Sequence, residues 1–375
     1  MKRKMRILYF TKDYTTHDHR FLTSLAESGN EVFSLRLERR GVQKEDRPLP
    51  PRVEQIGWRG GQRPVTWRDY PALLLDLRQI LRRIQPDVVH AGPVQSAAFL
   101  AALTGFKPLV TMSWGSDLLK DAATMPGRTR FTLNHTTVLL GDCQAVQQKA
   151  AEFRFPAERT VLFPWGVDLS RFSPGENEAQ RAELGWEEAF TLLALRAWEP
   201  LYGVDVIARA FARAAAQVPD LRLFLLGDGS QGPQLRQILQ RADVLDRVLF
   251  GGQISQTRLP QYYHAADLYI SASHSDGSSV SLMEALACGC PAIVSDIPGN
   301  REWITPGVEG WLFPDGDDAA LAERIVAAAR MRERLPEMGR AARALAEQRA
   351  DWRVNFLKLL GAYEMAIDFA TARKS

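Results

Sequence analysis

The chain has 375 residues, 46% of them hydrophobic and 24% charged, and its 47 Lys and Arg against 44 Asp and Glu leave a formal net charge of +3. This balance excludes a disordered or fibrous protein, and the length suits about two globular domains. No apolar run approaches the roughly 18 residues that a membrane-spanning helix needs.

The small net charge hides an uneven distribution. Residues 1–175 contain 26 Lys and Arg against 17 Asp and Glu, whereas the remainder contains 21 against 27. The basic first half suits peripheral contact with an anionic membrane or an anionic acceptor. The alternative is an arginine-rich surface that contacts only solvent. Nucleic acid is not expected as a partner, because the sequence has no basic motif with stacking aromatic residues.

Two further features bear on cellular location. The three cysteines, Cys143, Cys288 and Cys290, match no metal-binding spacing, and their odd number suits reduced thiols. The apolar run Ile7–Phe10 is too short for the core of a signal peptide. We therefore expect a cytoplasmic protein, with peripheral binding at the inner face of the membrane as an alternative.

The first 170 residues alternate predicted strands with predicted helices. In chain order the pattern indicates a strand at 5–10, a turn at 11–18, a helix at 20–28, a strand at 31–37, a long loop at 39–69, a helix at 71–85, a strand at 87–90, a helix at 95–104 and a strand at 108–113. This alternation is typical of a doubly wound α/β domain, which we assign to residues 1–170. The helix at 71–85 has a Leu/Ile face and an Arg face, and packing on the sheet explains it more simply than membrane binding does.

A second alternating series follows a joint rich in Pro, Gly and Asp at residues 164–180. It consists of strands at 191–197, 221–227, 247–252 and 267–273, with helices at 204–216, 232–242 and 258–265 between them. We assign a second α/β domain to residues 185–345 and a last amphipathic helix, at 351–370, to the first domain. Two such sheets predict a ligand cleft between the domains.

The segment SHSDGSSVSLMEALACGCPAIVSD, residues 273–296, places Asp276 and Glu284 on either side of a strand-to-helix turn. Ser278 or Ser279 is the predicted N-cap, so the first amides of the helix can face an anion, which the helix dipole also favours. Two carboxylates that accept hydrogen bonds, one on each side of an anion-binding turn, suit a nucleotide sugar, which has hydroxyls at both ends and phosphates in the middle. The alternative is an ordinary turn with solvated acids.

Six segments in the same order resemble the family 4 glycosyltransferases of GT-B architecture, from Met5 to about Arg330. They are QPDVVHAG at 85–92, WGSD at 114–117, PWGVDLSRFSP at 164–174, LRAWEPLYGVDVI at 195–207, LLGDG at 225–229, and YYHAADLYISAS at 262–273 together with the segment that follows it. A single match would be weak evidence, whereas six in register are specific.

This resemblance implies two Rossmann-like doubly wound domains that face each other across a cleft, with the C-terminal helix crossing back to the first domain. It also implies retaining transfer of a hexosyl-type sugar from a nucleotide-diphosphate sugar to a sugar or lipid-linked acceptor, in polysaccharide, glycolipid or cell-envelope biosynthesis. By position, Glu284 matches the acid that binds the donor ribose, Asp276 the acid near the hexose hydroxyls, and Arg196 the arginine on the diphosphate. The donor-binding positions would be Gly227, Gly277, Ser278, Ser279, Val280 and Tyr202.

The sequence departs from the family pattern at four places. Tyr202 replaces a lysine on the diphosphate, whose role Lys149 or Arg301 could take. Asp276 replaces a longer Glu, and Trp114 replaces a histidine whose role could pass to another histidine. The Gly-rich first turn is replaced by residues 14–20. The candidates for acceptor or cleft contacts are therefore Thr16, His17, Asp18, His90, Trp114 and Asp117, although a hydrogen-bonded core histidine explains His90 as well.

We expect no essential metal and no cofactor besides the substrate. Asp315 and Asp317 form an Asp-x-Asp, but helix capping before a helix at 318–330 explains the motif better than metal binding does. Two rival functions stay open. One is a phosphorylase or synthase of the same fold that uses a sugar phosphate, and the other is a catalytically degenerate carbohydrate-binding protein, as the replacements at Trp114 and Tyr202 would allow.

Overall fold

The computed structural model describes residues 4–39, 45 and 47–372, so part of the predicted 39–69 loop, residues 40–44 and 46, lies outside the described residues. The chain forms two compact units. The first contains residues 1–163 and 356–375, and the second contains residues 164–355.

The first unit is built on a parallel sheet of seven strands in the order β3-β2-β1-β4-β5-β6-β7. The strands are β1 (Arg6–Thr11), β2 (Glu31–Arg36), β3 (Val53–Gln55), β4 (Val88–Gly92), β5 (Leu109–Met112), β6 (Val138–Gly141) and β7 (Thr160–Leu162). The central strands are buried on both faces, because helices cover a parallel sheet on each side. The strand order reverses between β1 and β4, which is where open α/β sheets bind ligands.

Helices of the first unit include α1 (Thr16–Glu27), α2 (Tyr70–Ile84), α3 (Ala97–Leu103), α4 (Ala122–Thr124), α5 (Pro126–His135) and α6 (Gln144–Glu152). Helix α2 buries five Leu and Ile side chains and leaves its arginines exposed, as expected for packing on the sheet.

The second unit repeats this plan with a parallel sheet of six strands in the order β10-β9-β8-β11-β12-β13. The strands are β8 (Phe190–Ala194), β9 (Leu221–Leu226), β10 (Val248–Gly252), β11 (Leu268–Ser271), β12 (Ala292–Ser295) and β13 (Gly310–Phe313). Its helices are α7 (Glu178–Glu183), α8 (Val204–Ala215), α9 (Gly232–Arg241), α10 (Leu259–Ala265), α11 (Val280–Ala287), α12 (Pro298–Arg301), α13 (Asp318–Arg330) and α14 (Leu335–Arg349). The order reverses between β8 and β11.

The last helix, α15 (Trp352–Ala372), follows α14, and its residues from Phe356 onward belong to the first unit. The Tyr363 hydroxyl lies 2.6 Å from Nδ1 of His90, so this helix is hydrogen-bonded to β4. Within residues 4–39, 45 and 47–372, no helix combines the length and apolar character needed to cross a membrane.

One helix start was predicted wrongly. Helix α1 begins at Thr16 rather than at Arg20, so Thr16, His17 and Asp18 lie in its first turn and not in a loop. The cause is a capping box, in which the Thr15 side chain accepts from the Asp18 amide while the Asp18 carboxylate accepts from the Thr15 amide. The prediction for Asp317 is confirmed, because its carboxylate accepts from the Ala319 and Ala320 amides and caps α13.

Candidate functional site

The ligand edge of the second unit is dominated by one arginine. Arg196 follows β8, and its Nη2 atom lies 2.8 Å from Oδ2 of Asp276. The two groups form an ion pair, but the N–H group of Arg196 does not point at Oδ2 in hydrogen-bond geometry. The guanidinium carbon lies 4.3 Å from the centroid of the Tyr202 ring. Asp276 and Tyr202 therefore hold Arg196 through charge and a cation–π contact, at a position reached from two neighbouring strands.

The second terminal nitrogen of Arg196 points to the start of α11. Nη1 lies 3.2 Å from Oγ of Ser279 and 3.4 Å from Oγ of Ser281, and the latter also contacts the Tyr269 hydroxyl at 2.8 Å. Ser279 is the N-cap residue as predicted, but its side chain makes no capping hydrogen bond. A permanent cation thus lies beside the positive end of a helix dipole, an arrangement that binds anions.

Arg196 keeps its charge despite its burial. Burial by itself would lower the pKa of the guanidinium, but the charge of Asp276, together with the nearby Tyr202, Tyr269 and Tyr263, offsets this and raises that pKa above its ordinary value. The arginine therefore stays protonated at any pH at which the protein is folded, and it can serve as a fixed positive charge.

Glu284 lies one turn into α11 and is only 4% exposed. Its Oε2 lies 3.0 Å from the Tyr263 hydroxyl, which is also 2.9 Å from the Ser281 carbonyl oxygen. Burial and then the charge of Glu284 raise the pKa of Tyr263 well above its ordinary value, so the phenol stays a donor. Asp276 and Glu284 thus bracket the first turn of α11.

The remaining predicted donor residues lie around the same turn. Gly277 donates its amide to Asp276 Oδ1 at 3.1 Å, and Ser278 Oγ accepts from the Trp303 indole at 3.1 Å. Val280 is the first residue of α11. Gly227 has a φ of +109°, and a Cβ there would lie 2.7 Å from the Arg196 carbonyl oxygen. A side chain at Gly227 would therefore displace the loop that carries Arg196.

The two proposed substitutes for the missing lysine have other partners. Arg301 forms an ion pair with Asp296, with Nε 2.6 Å from Oδ1, and Lys149 forms one with Glu152 at 2.6 Å. Within the described part of the second unit, Arg301 forms no hydrogen bond or ion pair with Arg196, Asp276 or the start of α11. The cationic contribution to this edge of the sheet is therefore that of Arg196 and the amides of α11.

In the first unit, Asp18 and His90 are core residues. The Asp18 carboxylate accepts from the Tyr9 hydroxyl at 2.9 Å as well as from Thr15, and burial raises its pKa to about 6. His90 is buried against Tyr9 and Tyr363, and burial lowers its pKa to about 3. Both side chains are used in packing and hydrogen bonds of the fold.

A cavity of about 350 Å³ lies at the carboxyl edge of the first unit's sheet. Of the predicted acceptor candidates, Trp114 and Asp117 line it, whereas Thr16, His17, Asp18 and His90 are not among its lining residues. His17 nevertheless lies near it, because its ring centroid is 5.4 Å from that of Trp114.

Sequence reasoning missed three prominent lining residues of this cavity, Trp67, Tyr70 and Arg128. A local signal existed for the first two, because Thr66 and Asp69 form a capping box that starts a short 3₁₀ turn at Trp67–Asp69 and then α2. Arg128 lies on α5 and has no such signal, since only the tertiary fold brings it near Tyr70.

The part of the chain that the structure describes contains no group of three or more His, Cys, Asp or Glu side chains that could hold a metal ion. The Asp-x-Asp segment has other contacts, since Asp317 caps α13 and Asp315 Oδ1 lies 2.7 Å from Nδ1 of His274.

Comparisons with known proteins extend over both units. A model described as Glycosyltransferase Family 4 matches residues 15–171, and one described as Glycosyl transferases group 1 matches residues 176–345. A D-inositol 3-phosphate glycosyltransferase of Geodermatophilus obscurus is 35% identical over 187 residues, 47% of this chain and 42% of that protein. A protein of the same name from Segniliparus rotundus is 29% identical over 270 residues, 70% of this chain and 56% of that protein.

The matches thus span about half the length of these curated relatives. Among solved structures, Anabaena Alr3699/HepE in complex with UDP has a TM-score of 0.80 at 20% identity, over 96% of this chain and 100% of that chain. The same protein in complex with UDP-glucose has a TM-score of 0.79. The chain therefore belongs to the group 1, family 4 glycosyltransferases, and its two doubly wound units have the GT-B fold.

Proposed function

We propose that the second unit binds a nucleotide-diphosphate sugar and that the protein transfers its hexosyl-type sugar, with retention of anomeric configuration, to a sugar or lipid-linked acceptor. The observation that carries the proposal is the position of Arg196, which lies between Asp276 and the start of α11, with Glu284 on the same helix. This places a cation and helix amides between two carboxylates, as a molecule with hydroxyl groups at both ends of a diphosphate requires.

The charges of the site suit departure of a nucleotide diphosphate. As the bond between the sugar carbon and the phosphate oxygen breaks, negative charge grows on the diphosphate. The acceptor hydroxyl oxygen bonds to that carbon, and its proton would pass to the departing phosphate oxygen. Arg196, whose side chain is only 16% exposed, and the first amides of α11 would stabilise the diphosphate charge.

Asp276 would have two successive partners. It pairs with Arg196 at 2.8 Å, so a bound diphosphate would compete with the Asp276 carboxylate for the guanidinium. Once the diphosphate pairs with the Arg196 guanidinium, the Asp276 carboxylate oxygens can accept hydrogen bonds from hexose hydroxyls. Glu284, buried at the other side of the turn, would accept from the ribose hydroxyls.

Tyr202 would compensate in part for the lysine that the family resemblance leads us to expect. Its ring lies 4.3 Å from the Arg196 guanidinium carbon, so it holds the single cation in place rather than adding a second one. A preorganised arginine fork loses less entropy when it binds phosphate.

Support for a UDP-linked donor comes from Alr3699/HepE, which has been solved with UDP and with UDP-glucose. We extend the proposal to polysaccharide, glycolipid or cell-envelope biosynthesis at the cytoplasmic face of the membrane, where the basic first half of the chain would lie near anionic lipids.

The test is a calorimetric titration of UDP-glucose into the wild type and into Glu284→Gln, which keeps the shape of the side chain and removes its charge. We expect roughly tenfold weaker binding, because a hydrogen bond to a charged acceptor contributes about 1.5–3 kcal/mol. Glu323→Ala, an exposed position on α13, is the matched control. Equal affinity of wild type and Glu284→Gln would contradict the ribose role, and binding of UDP-glucose without transfer or hydrolysis would favour the degenerate alternative.

A further inference from the structure

We propose that Tyr263 is a positioning residue for Glu284. Its phenol holds the carboxylate in the orientation that accepts from the donor ribose, and this sets how strongly the site prefers a nucleotide that carries ribose hydroxyl groups. The inference rests on the proposed function, because it takes Glu284 as the acid that binds the ribose. It adds to the donor site a residue from a second helix, α10.

Tyr263 is a buried residue whose ring is held on two sides. It lies on α10 and is 1% exposed, and its ring centroid lies 6.1 Å from that of Phe172 and 6.2 Å from that of Tyr269. Because side chains in a protein core are densely packed, a ring in this setting has a fixed hydroxyl position. A group that is hydrogen-bonded to this hydroxyl is therefore held in place as well.

The Tyr263 hydroxyl has one proton and two oxygen atoms within hydrogen-bond distance. Oε2 of Glu284 lies at 3.0 Å, and the Ser281 carbonyl oxygen lies at 2.9 Å. The Ser281 carbonyl belongs to the first turn of α11, where the helix itself supplies an amide donor four residues later. A hydrogen bond to a carboxylate is also about twice as strong as one between neutral groups. The proton therefore stabilises Glu284 more than it stabilises the Ser281 carbonyl.

Glu284 depends on this donor more than an exposed acid would. The residue is 4% exposed, and a buried carboxylate that lacks hydrogen bonds is costly in free energy. Its side chain has several rotatable bonds, so without a fixed partner its oxygen atoms would occupy several positions. A phenol anchored in the core restricts that freedom before the nucleotide binds, and such preorganisation increases affinity.

A second buried tyrosine provides an internal comparison. The Tyr269 hydroxyl lies 2.8 Å from Oγ of Ser281, and that oxygen lies 3.4 Å from Nη1 of Arg196. Tyr269 thus connects to the cation proposed to bind the diphosphate, whereas Tyr263 connects to the acid proposed to bind the ribose. Loss of either hydroxyl should weaken nucleotide binding, but only the effect of the Tyr263 hydroxyl should depend on the ribose.

The test is calorimetric titration of two probes, UDP and 2′,3′-dideoxy-UDP, into the full chain. The second probe keeps the base and the diphosphate and lacks both ribose hydroxyl groups. The wild type should bind UDP about tenfold more tightly than dideoxy-UDP. Tyr263→Phe removes only the hydroxyl. It should bind UDP about threefold to tenfold more weakly than the wild type does, and it should bind dideoxy-UDP as the wild type does.

Three further variants locate the effect. Tyr269→Phe should weaken the binding of UDP and dideoxy-UDP by the same factor. Tyr262→Phe, on the same helix, is the matched control, because Tyr262 is 5% exposed and its hydroxyl bonds to no described residue, so both affinities should equal those of the wild type. In Glu284→Ala the carboxylate is gone, so adding Tyr263→Phe should change UDP affinity less than about twofold.

Two results would overturn the inference. Tyr263→Phe could bind UDP as tightly as the wild type does, or it could lose affinity for UDP and dideoxy-UDP by the same factor, as a merely structural role would cause. A preference for UDP that is lost in Glu284→Gln but kept in Tyr263→Phe would refute this inference and leave the donor proposal standing. Equal binding of the two probes by the wild type would instead contradict the ribose role of Glu284 in the donor proposal.

Discussion

The ligand edges of the two units present their arginines in opposite ways. Arg196 of the second unit is paired with Asp276 at 2.8 Å, whereas Arg128 of the first unit lies against Tyr70 and Phe99 and forms no ion pair with any described residue. An anion at the first edge meets a charge that is already available, but one at the second edge must replace a carboxylate. Under the proposed function, binding of an anion by Arg196 would release the Asp276 carboxylate to accept hydrogen bonds from hydroxyl groups.

The largest expected effect comes from separating the two roles of Asp276. Asp276→Asn should reduce kcat/KM for sugar transfer by a hundredfold to a thousandfold, the range seen when one stabilising group is removed from an active site. UDP should bind at least as tightly as to the wild type, because Arg196 no longer has a competing carboxylate. Transfer rates and UDP titrations check this. Weaker UDP binding by Asp276→Asn with an unchanged transfer rate would contradict the proposed role of Asp276 at the hexose.

A second prediction asks whether Asp18 of the first unit is structural. Its folded-state pKa of about 6 lies above the ordinary 3.8, so the folded protein holds the proton more tightly than the unfolded chain does. The stabilising contribution is therefore complete below pH 3.8 and is lost as the pH rises through 6. Over this interval the difference in unfolding free energy between wild type and Asp18→Asn should change by about 3 kcal/mol.

Denaturant titrations at several pH values measure that change. A difference between the two proteins that does not depend on pH would show that Asp18 does not titrate in this window. Glu323→Ala, exposed on α13, controls for the general effect of losing one carboxylate.

A smaller effect is expected at Tyr202. Tyr202→Ala should weaken UDP binding by up to about tenfold, because a partly buried cation–π contact contributes about 1 kcal/mol and its loss lets Arg196 move. Tyr202→Phe keeps the ring and should bind UDP as the wild type does. If Tyr202→Phe binds UDP as weakly as Tyr202→Ala does, the hydroxyl group and not the ring is responsible for the loss of affinity.

The smallest expected effect is that of a chelator. We propose that Arg196 and the amides of α11 balance the diphosphate charge without a metal ion, so EDTA should change the transfer rate less than twofold. Complete loss of transfer in EDTA, with recovery on addition of Mg²⁺ or Mn²⁺, would refute this part of the proposal.

The sequence predicted the alternation of strands and helices well because the core strands are short apolar runs bounded by Gly, Pro and Asp. It failed at Thr16, where the apolar pattern begins later than the helix and the capping box of Thr15 and Asp18 sets the start. Capping hydrogen bonds, as well as hydrophobic periodicity, therefore set where a helix begins.

The two candidate sites were predictable to different degrees. Around α11, Asp276 and Glu284 belong to one short segment, and the family resemblance of residues 195–207 added Arg196, which follows the neighbouring strand β8. The cavity of the first unit is lined from separate loops and helices. The capping box of Thr66 and Asp69 indicates only a helix start near Trp67, and the sequence does not indicate that Trp67 and Arg128 line one cavity. Long-range packing creates that site.

The most direct test of the central claim is the affinity of UDP for Arg196→Ala, with Arg324→Ala, an exposed arginine on α13, as the matched control. If Arg196 binds the diphosphate, calorimetry should show UDP binding weakened at least tenfold in Arg196→Ala and unchanged in Arg324→Ala. Equal affinity in the wild type and in a folded Arg196→Ala protein would contradict the placement of the donor at this site.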